Sequence, residues 1–260
     1  MQVQAFKQEI LTKFLDENNF VKPRIDQGSK NGIMYSGLFY TILAENNLLT
    51  KQPESLSNEF DSSRWAIAFN KCIRYIDSTT QTKINALIFR SPTDMDGEAQ
   101  DDYIGAVAAC YHFGFPWPHD LVTYGEKYGW ILNNAKPYDT ETLKYWHDRF
   151  PGLTTFYKIA ANSFHDKKDP SKFPKFSVGA WDLVVLCIVI LANAFSKLHN
   201  EDSKMLTYMQ LTVLSKEKPF PFVLIRKLWF FIINRRLGSL AKSWIPYFGA
   251  DHPFCQVELK

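Results

Sequence analysis

The chain has 260 residues, of which 46% are hydrophobic and 15% aromatic, so it is long enough to bury a large core and does not have the composition of a disordered segment. Thirty basic and 27 acidic residues leave a net charge of +3. This excess is too small to predict nucleic acid as the main partner, and no Lys/Arg block with interleaved aromatics marks a nucleic-acid module.

The first segment predicts an amphipathic helix over residues 2–16, with Val3, Phe6, Ile10 and Phe14 on one face. It lacks the basic start, the long apolar region and the small-residue cleavage site of a signal peptide. We therefore expect synthesis in the cytoplasm and a cytoplasmic or virion-associated location.

Apolar residues recur at spacings of three and four through most of the chain, which predicts an all-α domain of about ten or eleven helices arranged as helical hairpins. After the first helix, the predicted helices cover 33–46, 61–77, 98–113, 117–132, 139–149, 152–165, 176–199, 202–215, 220–236 and 238–245. The segment INALIF at 84–89 is the one candidate strand, and it is equally compatible with a helix.

A proline-rich segment at 169–175 is the best internal boundary, and it would join lobes 1–168 and 176–260. Because this segment is short for a flexible tether and the helix after it is very apolar, we expect a single domain over 1–260. The apolar run Leu183–Ala192 is about half of the roughly 20 residues that a bilayer requires. We therefore expect no transmembrane span, and we expect protein neighbours on all sides of this helix.

The four cysteines are far apart, and none has the spacing of a metal site. Cys72, Cys110 and Cys187 each lie within an apolar helical pattern, where a free cysteine behaves as a small hydrophobic residue. We expect reduced, structural thiols.

The segment SPTDMDGEAQDDY at 91–103 concentrates carboxylates before a small, apolar run. Asp94, Asp96 and Glu98 are explained by the acidic start of a helix, where unpaired backbone N–H groups and the helix dipole favour negative charge. An irregular calcium site made by the same three residues is the alternative, although Pro92 and Tyr103 stand where an EF-hand loop requires ligands. Apart from this calcium alternative, no cofactor is expected.

Asp101 and Asp102 need a further explanation, because Asp102 falls where the buried face of the helix begins. Hydrolysis of a glycosidic bond uses two carboxyl groups about 5–10 Å apart across one cleft. Adjacent residues on a helix point about 100° apart, so Asp101 and Asp102 cannot form that pair together. Asp26, in the loop DQGSKNG, is the preferred second carboxylate.

Aromatic residues and histidines follow the acidic segment, and they include His112 and Trp117. Such rings either line a sugar-binding cleft or fill the core of a large helical domain. The segment KYWHDRFPG adds Trp146 and His147, for which the alternative to a site is a histidine at the C-terminal end of a helix dipole.

A basic, apolar segment at 222–244 places Arg226, Lys227, Arg235 and Arg236 among Leu, Phe and Trp. A helix of this kind lies on a membrane surface or docks into a partner groove. The alternative is an outer helix whose long basic side chains cover the core.

Three stretches, NGIMYSGLFYTILAEN, RSPTDMDGEAQDDYIGAVAACYHFG and YFGADHPF, resemble α/α-toroid carbohydrate-active proteins and similar uncharacterised proteins of bacteria and tailed phages. The resemblance covers about a third of the chain as short motifs. A full toroid has twelve helices, so it implies an incomplete ring here.

The resemblance implies roles for individual residues. Asp102 or Asp101 would be the acid, Asp26 the second carboxylate, and Arg90 and Tyr103 would contact the substrate. Beside these, the predicted polar and aromatic cleft offers five further candidate sugar contacts: Tyr35, Trp117, His112, His147 and Trp146. The leading hypothesis is therefore a glycoside hydrolase, a lyase-like enzyme or a glycan-binding protein. The alternative is a non-enzymatic structural or interaction protein, such as a phage particle component, whose partner is another protein.

Overall fold

The structure is a computed structural model of the chain. It describes residues 1–26, 31–49, 61–73, 75–76, 83–92, 100–130, 132, 152–165, 169, 171–196 and 201–259.

The described residues form eleven α-helices, which confirms the predicted all-α class and the predicted number of helices. They are α1 Val3–Lys13, α2 Gly32–Glu45, α3 Asp61–Cys72, α4 Gln100–Phe113, α5 Trp117–Tyr128, α6 Leu153–Asn162, α7 Ala180–Ser196, α8 Glu201–Glu217, α9 Pro219–Leu237, α10 Ile245–Phe248 and α11 Pro253–Gln256. A single 3-10 turn, Ala241–Trp244, stands where the last long helix was predicted. The helix predicted at 139–149 lies outside the described residues.

The predicted strand at 84–89 is correct only at its first residue. Lys83–Ile84 forms a two-residue antiparallel pair with Tyr75–Ile76, and the residues that follow make a turn and an irregular extended segment. Two residues per strand are too few to form a sheet layer, so the pair does not change the fold class.

Glycines set two of the helix ends. Helix α5 was predicted to reach residue 132, but it ends at Tyr128 because Gly129 adopts a left-handed conformation with φ 69°. Gly238, with φ 78°, ends α9 in a similar way. Only glycine takes a positive φ without steric cost, so these positions stop helices that are otherwise apolar enough to continue.

Helices α2 and α4 make the tightest packing in the molecule, through two glycines. A Cβ placed on Gly37 would lie 2.4 Å from the carbonyl oxygen of Gly105, and one placed on Gly105 would lie 2.7 Å from the Cα of Met34. Real Cβ atoms do not approach backbone atoms this closely. The two backbones therefore touch directly, and every residue of α2 from Gly32 to Leu43 is buried.

Helix α8 runs through the middle of the described helices and packs against α2, α4, α6, α7 and α9. Several of its polar side chains are buried as well, as Thr207 and Thr212 illustrate at 1% and 0% exposure. The Thr212 hydroxyl donates to the carbonyl of Tyr208 at 2.9 Å, which satisfies it inside the core. One hydrophobic core thus includes residues on both sides of the proline-rich segment.

The C-terminal residues close the core beside α1 and α2. The Phe254 ring packs 5.6 Å from Phe6, and the Phe248 ring packs 5.4 Å from Tyr35. His252 lies among these rings, 4.4 Å from Phe14. Aromatic pairs at such distances contribute about 0.5–1.5 kcal/mol beyond their buried area.

Candidate functional site

Asp102, the predicted acid, is completely buried in the first turn of α4. Its Oδ2 atom lies 3.4 Å from Nε of Arg90, and the Arg90 side chain is 29% exposed. This contact corrects two predictions together. Asp102 does not open into a cleft, and Arg90, predicted to bind a sugar, instead neutralises the buried carboxylate.

Asp101 is partly buried beside it, and burial raises the pKa of its carboxyl group. Backbone N–H groups at the start of α4 and the positive charge of Arg90 oppose this effect. Asp26, the predicted second carboxylate, is exposed. Since Asp102 is fully closed and Asp26 is open to solvent, these two carboxylates do not face a common solvent-filled cleft.

The predicted sugar-binding rings are mostly core residues. Tyr103 is 0% exposed and donates its hydroxyl to the carbonyl of Leu132 at 2.9 Å, and Tyr35 is 2% exposed. Trp117 is 5% exposed, and its Nε1 donates to the carbonyl of Asn85 at 2.9 Å. A ring that is closed on both faces cannot stack on a sugar, so core packing explains these three side chains.

Five predicted residues lie outside the described part of the chain: Asp94, Asp96, Glu98, Trp146 and His147. The calcium alternative therefore stays a prediction. Among the residues that the structure does describe, no group of three or more potential metal-binding side chains comes together.

A polar cavity of about 610 Å³ lies next to His112, which is 4% exposed. Tyr111 and Lys216 also line it. The Tyr111 hydroxyl donates to Glu217 at 2.7 Å, and the Lys216 ammonium lies 3.1 Å from Glu45. The Tyr111 hydroxyl and the Lys216 ammonium are thus each held by a carboxylate, which is the arrangement of a structural polar network.

A smaller cleft of about 380 Å³ lies beside Trp117, with Phe69, Asn70 and Asp120 on its walls. Partial burial raises the pKa of the Asp120 carboxyl, and the charge of His119 opposes the shift. The sequence prediction did not single out Asp120. Because Phe69 and Trp117 are 4% and 5% exposed, little of either ring is accessible to a ligand in this cleft.

The most unusual surface is an apolar face made by α7 and α9. It consists of eight large side chains with exposures of 36% to 84%: Trp181, Val184 and Ile188 of α7, and Phe220, Val223, Leu224, Leu228 and Phe231 of α9. We call this set the outer face. Helices α7 and α9 contact each other and both pack on α8, so their outward sides lie next to one another.

The helical spacing explains how the outer face forms. On α9, Phe222, Ile225, Trp229 and Ile233 point to the core, and the opposite side carries the exposed residues at intervals of three and four. On α7, only Leu186 and Ile190 are buried among the side chains described. The expectation that α7 has neighbours on all sides is therefore wrong.

The size of the outer face is large for a monomer. At these exposures the eight side chains present on the order of 800 Å², if a fully exposed aromatic side chain has about 150–250 Å². The largest apolar patch of a typical monomer is about 300–600 Å². A patch above this range marks a contact with another body.

The charges on α9 have one sign, and α7 adds a single carboxylate. Helix α9 contains four basic residues and no acidic residue, and α7 contains one acidic residue, Asp182. Lys227 and Arg235 are exposed. At 100° per residue, both fall on the outward side of α9, among the apolar residues of the outer face.

A groove of about 630 Å³ runs along one flank of α9. Val223, Phe230 and Leu259 form its apolar wall, and Arg226, Lys227 and Asn234 supply its polar groups. The carboxylate of Glu45 also lines the groove and is bound by Arg226 and by Lys216. Val223 and Lys227 connect this groove, which we call the flank groove, to the edge of the outer face.

The sequence contained part of the signal for this surface. The basic and apolar character of 222–244 predicted either a surface helix or a partner-binding helix, but it did not show which residues point outward. For α7 there was no signal, because a helix that is apolar all round does not reveal which side lacks a neighbour.

No family model, no curated protein and no solved structure matches this chain. In the described part of the chain, no helix has both the length and the apolar character needed to cross a membrane. The geometry of the described surfaces is therefore the basis for a functional proposal.

Proposed function

We propose that this chain is a non-enzymatic interaction protein whose outer face docks onto an anionic lipid surface. The observation that carries the proposal is the outer face itself, with eight exposed apolar side chains on two adjacent helices and only basic charges on α9. Helices that bind at a membrane interface combine Trp, Phe and Leu with Lys and Arg in this way.

The positions of the aromatic residues support a lipid partner. Trp181 stands in the first turn of α7 and is 72% exposed, and Phe220, whose backbone is extended (φ −101°, ψ 129°) just before the regular turns of α9, is 84% exposed. Because α8 follows α7 and precedes α9 after short connections and contacts both, we infer that neighbouring helices run antiparallel and that α7 and α9 begin at the same end of the molecule. Two protruding aromatic side chains at one end are suited to the headgroup region of a bilayer.

The charges argue against a second copy as the occupant. A two-fold dimer brings the same surface patch of both subunits together. Lys227 and Arg235 of one copy would then lie against the basic outer face of the other, with only Asp182 on each α7 to offset them. An anionic lipid surface meets the same cations with opposite charge.

The test is flotation of the protein with vesicles of phosphatidylcholine alone and with vesicles that contain phosphatidylglycerol. We expect binding to the anionic vesicles only. Raising NaCl from about 0.1 M to about 1 M should weaken it, because the Debye length falls from about 10 Å to about 3 Å. Ile188→Asp should reduce binding at least about ten-fold, since it places a charge on the outer face.

The matched control is Ile67→Asp on α3. Ile67 is 55% exposed and Ile188 is 57% exposed, so the two substitutions are alike except for their place. Equal effects of both variants, or no vesicle binding by the wild type, would refute the proposal. Light scattering that shows a dimer, dissociated by Ile188→Asp, would assign the outer face to a second copy instead.

Carbohydrate binding or cleavage stays a prediction. Its proposed acid, Asp102, is buried against Arg90, so support for it would have to come from a screen of polysaccharide cleavage in which Asp102→Asn loses activity while remaining folded.

A further inference from the structure

We propose that the flank groove binds the headgroup of one anionic phospholipid, with Arg226 and Lys227 on the phosphate and with Val223, Phe230 and Leu259 beside the glycerol and the first acyl carbons. The inference rests on the proposed function, because the outer face brings the groove to the lipid surface. It adds a defined binding site and a ligand class to that surface.

The location of the groove is the first support. The groove is lined along one flank of α9 by Val223, Arg226, Lys227, Phe230 and Asn234. Val223 also belongs to the outer face. A molecule in the groove would therefore sit at the rim of the outer face. A lipid headgroup occupies this level when the apolar residues beside it enter the bilayer.

The size and lining fit a headgroup with its glycerol. The volume of about 630 Å³ lies within the about 300–1,000 Å³ that is usual for small-molecule sites. Val223, Phe230 and Leu259 form the apolar wall, and charged and polar side chains lie beside them. A free phosphate ion would use only the polar groups and leave the apolar wall in contact with water.

The electrostatics of the groove favour an anion. Glu45 is bound by Arg226 and by Lys216, and Lys227 adds a third positive charge nearby. Among the residues that line the groove itself, the two cations Arg226 and Lys227 against the carboxylate of Glu45 leave one positive charge. Lys227 is exposed, so its ammonium is open to a phosphate from the solvent side, and the positive charge of Arg226 lies beside it in the same lining.

Arg226 is also held in place. Its side chain is 19% exposed, and its guanidinium lies 5.7 Å from the centre of the Phe230 ring. Glu45 on one side and Phe230 on the other restrict the rotamers of this side chain, which lowers the entropy that a ligand contact would cost. Asn234 adds an amide that can donate a neutral hydrogen bond.

The experiment uses a short-chain lipid that stays monomeric in water, dihexanoyl-phosphatidylglycerol, and follows binding to the full chain by calorimetry. Dihexanoyl-phosphatidylcholine and inorganic phosphate are the comparison ligands. We expect the anionic lipid to bind at least about ten-fold more tightly than either one, a ratio that is readily measured.

Two variants assign the site. Val223→Trp fills the groove without changing its charge and should abolish binding of the short-chain lipid. Arg226→Lys keeps the ion pair with Glu45 but has no planar guanidinium, and should weaken binding about ten-fold. The circular dichroism spectrum of each variant establishes that it is folded.

Ile188→Asp separates the two proposals. It should lose vesicle binding and keep binding of the short-chain lipid, because Ile188 is on α7 and does not line the groove. Vesicle binding by the wild type without any binding of the short-chain lipid would overturn the groove proposal and leave the proposed function intact. Binding of inorganic phosphate as tightly as the lipid would overturn the assignment of a lipid ligand.

Discussion

Helices α2 and α7 are both apolar around nearly their whole circumference, yet their surroundings are opposite. On α2 every residue from Gly32 to Leu43 is buried, whereas on α7 only Leu186 and Ile190 are buried among the side chains described. Helix α2 packs against α4 and α8, and the C-terminal rings cover a further side. Among the described helices, α7 packs mainly against α6, α8 and α9, and its side chains Trp181, Val184 and Ile188 stay exposed.

The difference shows that apolar composition and burial are separate properties. An apolar composition favours burial of a helix, but the number of neighbouring elements in the same chain determines how many of its side chains are buried. Helix α7 lies beside a second helix, α9, whose outward side is also apolar. Exposed apolar side chains on two adjacent helices form one patch, and such a patch favours contact with an external partner over chance exposure.

The largest effect is expected where α2 and α4 touch. Gly105→Ala would place a Cβ 2.7 Å from the Cα of Met34 and 2.9 Å from the carbonyl oxygen of Ile33, so one backbone must move. Overpacking of a core typically costs about 1–3 kcal/mol, and a clash with backbone should lie at the top of this range, about 3 kcal/mol. Urea denaturation measures the loss.

Gly179→Ala is the matched control for this substitution. The nearest atom to an added Cβ at Gly179 is Oδ2 of Asp182 at 3.0 Å, which accepts a hydrogen bond from the N–H of Gly179 at 2.9 Å but belongs to an exposed side chain that can shift by a few tenths of an ångström. We expect a change within about 0.5 kcal/mol. Equal stability of the two variants would mean that α2 and α4 are further apart than described.

The second prediction tests the two sides of α7 with one pair of residues. Ile190 is 0% exposed and Ile188 is 57% exposed on the same helix. Ile190→Ala should lower the free energy of unfolding by about 2–3 kcal/mol, because it leaves a cavity. Ile188→Ala should change it by less than about 0.5 kcal/mol. If both variants lose the same stability, then the outer side of α7 is covered in the isolated chain.

The third prediction concerns the buried ion pair. Asp102→Asn should destabilise the protein by about 2–3 kcal/mol, somewhat below the about 3–5 kcal/mol for a fully buried pair, because Arg90 is partly exposed. The double variant Asp102→Leu with Arg90→Met should recover part of the loss, since it removes both charges together.

A different result would change the interpretation of Asp102. Unchanged stability of Asp102→Asn, together with lost cleavage of a polysaccharide that the wild type cleaves, would restore the hypothesis of a catalytic acid. Equilibrium unfolding and the cleavage screen should therefore be performed on the same preparation.

The helices could be predicted from the sequence because their apolar spacing is local. The buried face of α1 was predicted from the spacing of Val3, Phe6, Ile10 and Phe14. Phe6, Ile10 and Phe14 are buried in the structure, and Phe6 packs against the C-terminal ring of Phe254. Boundaries failed where a single glycine decides them, as Gly129 does for α5. The spacing of apolar residues shows which side of a helix is buried. The end of a helix can depend on a single residue that adopts a positive φ, and the spacing does not show that residue.

The roles of charged residues could not be predicted in the same way. Asp102 and Arg90 were both identified, but the sequence does not show that a residue twelve positions earlier folds back onto a buried carboxylate. The outer face was missed for a similar reason, because only the tertiary arrangement determines which side of α7 has no neighbour.

The smallest effect is expected from His252, which helps the C-terminal rings to cover the α1 and α2 side of the core. Burial lowers the pKa of its imidazole to about 4, and the carbonyl of Lys22 opposes the shift only weakly. The unfolded chain, with an ordinary histidine pKa of about 6.5, therefore binds the proton more readily than the folded protein. The stability from this group should be complete above about pH 6.5 and should fall by about 2 kcal/mol as the pH drops to about 5.

Denaturation of the wild type and of His252→Asn across this pH range isolates the effect. Asparagine retains a side-chain acceptor for the backbone N–H of Phe254, which His252 Nδ1 binds at 3.2 Å, but it does not titrate. The variant is expected to be less stable at every pH, because it loses the ring contacts, and to show a shallower decline between pH 6.5 and 4. Parallel curves for the two proteins would mean that the imidazole becomes protonated in the folded state without cost, so that this side of the core is open to water like the outer side of α7.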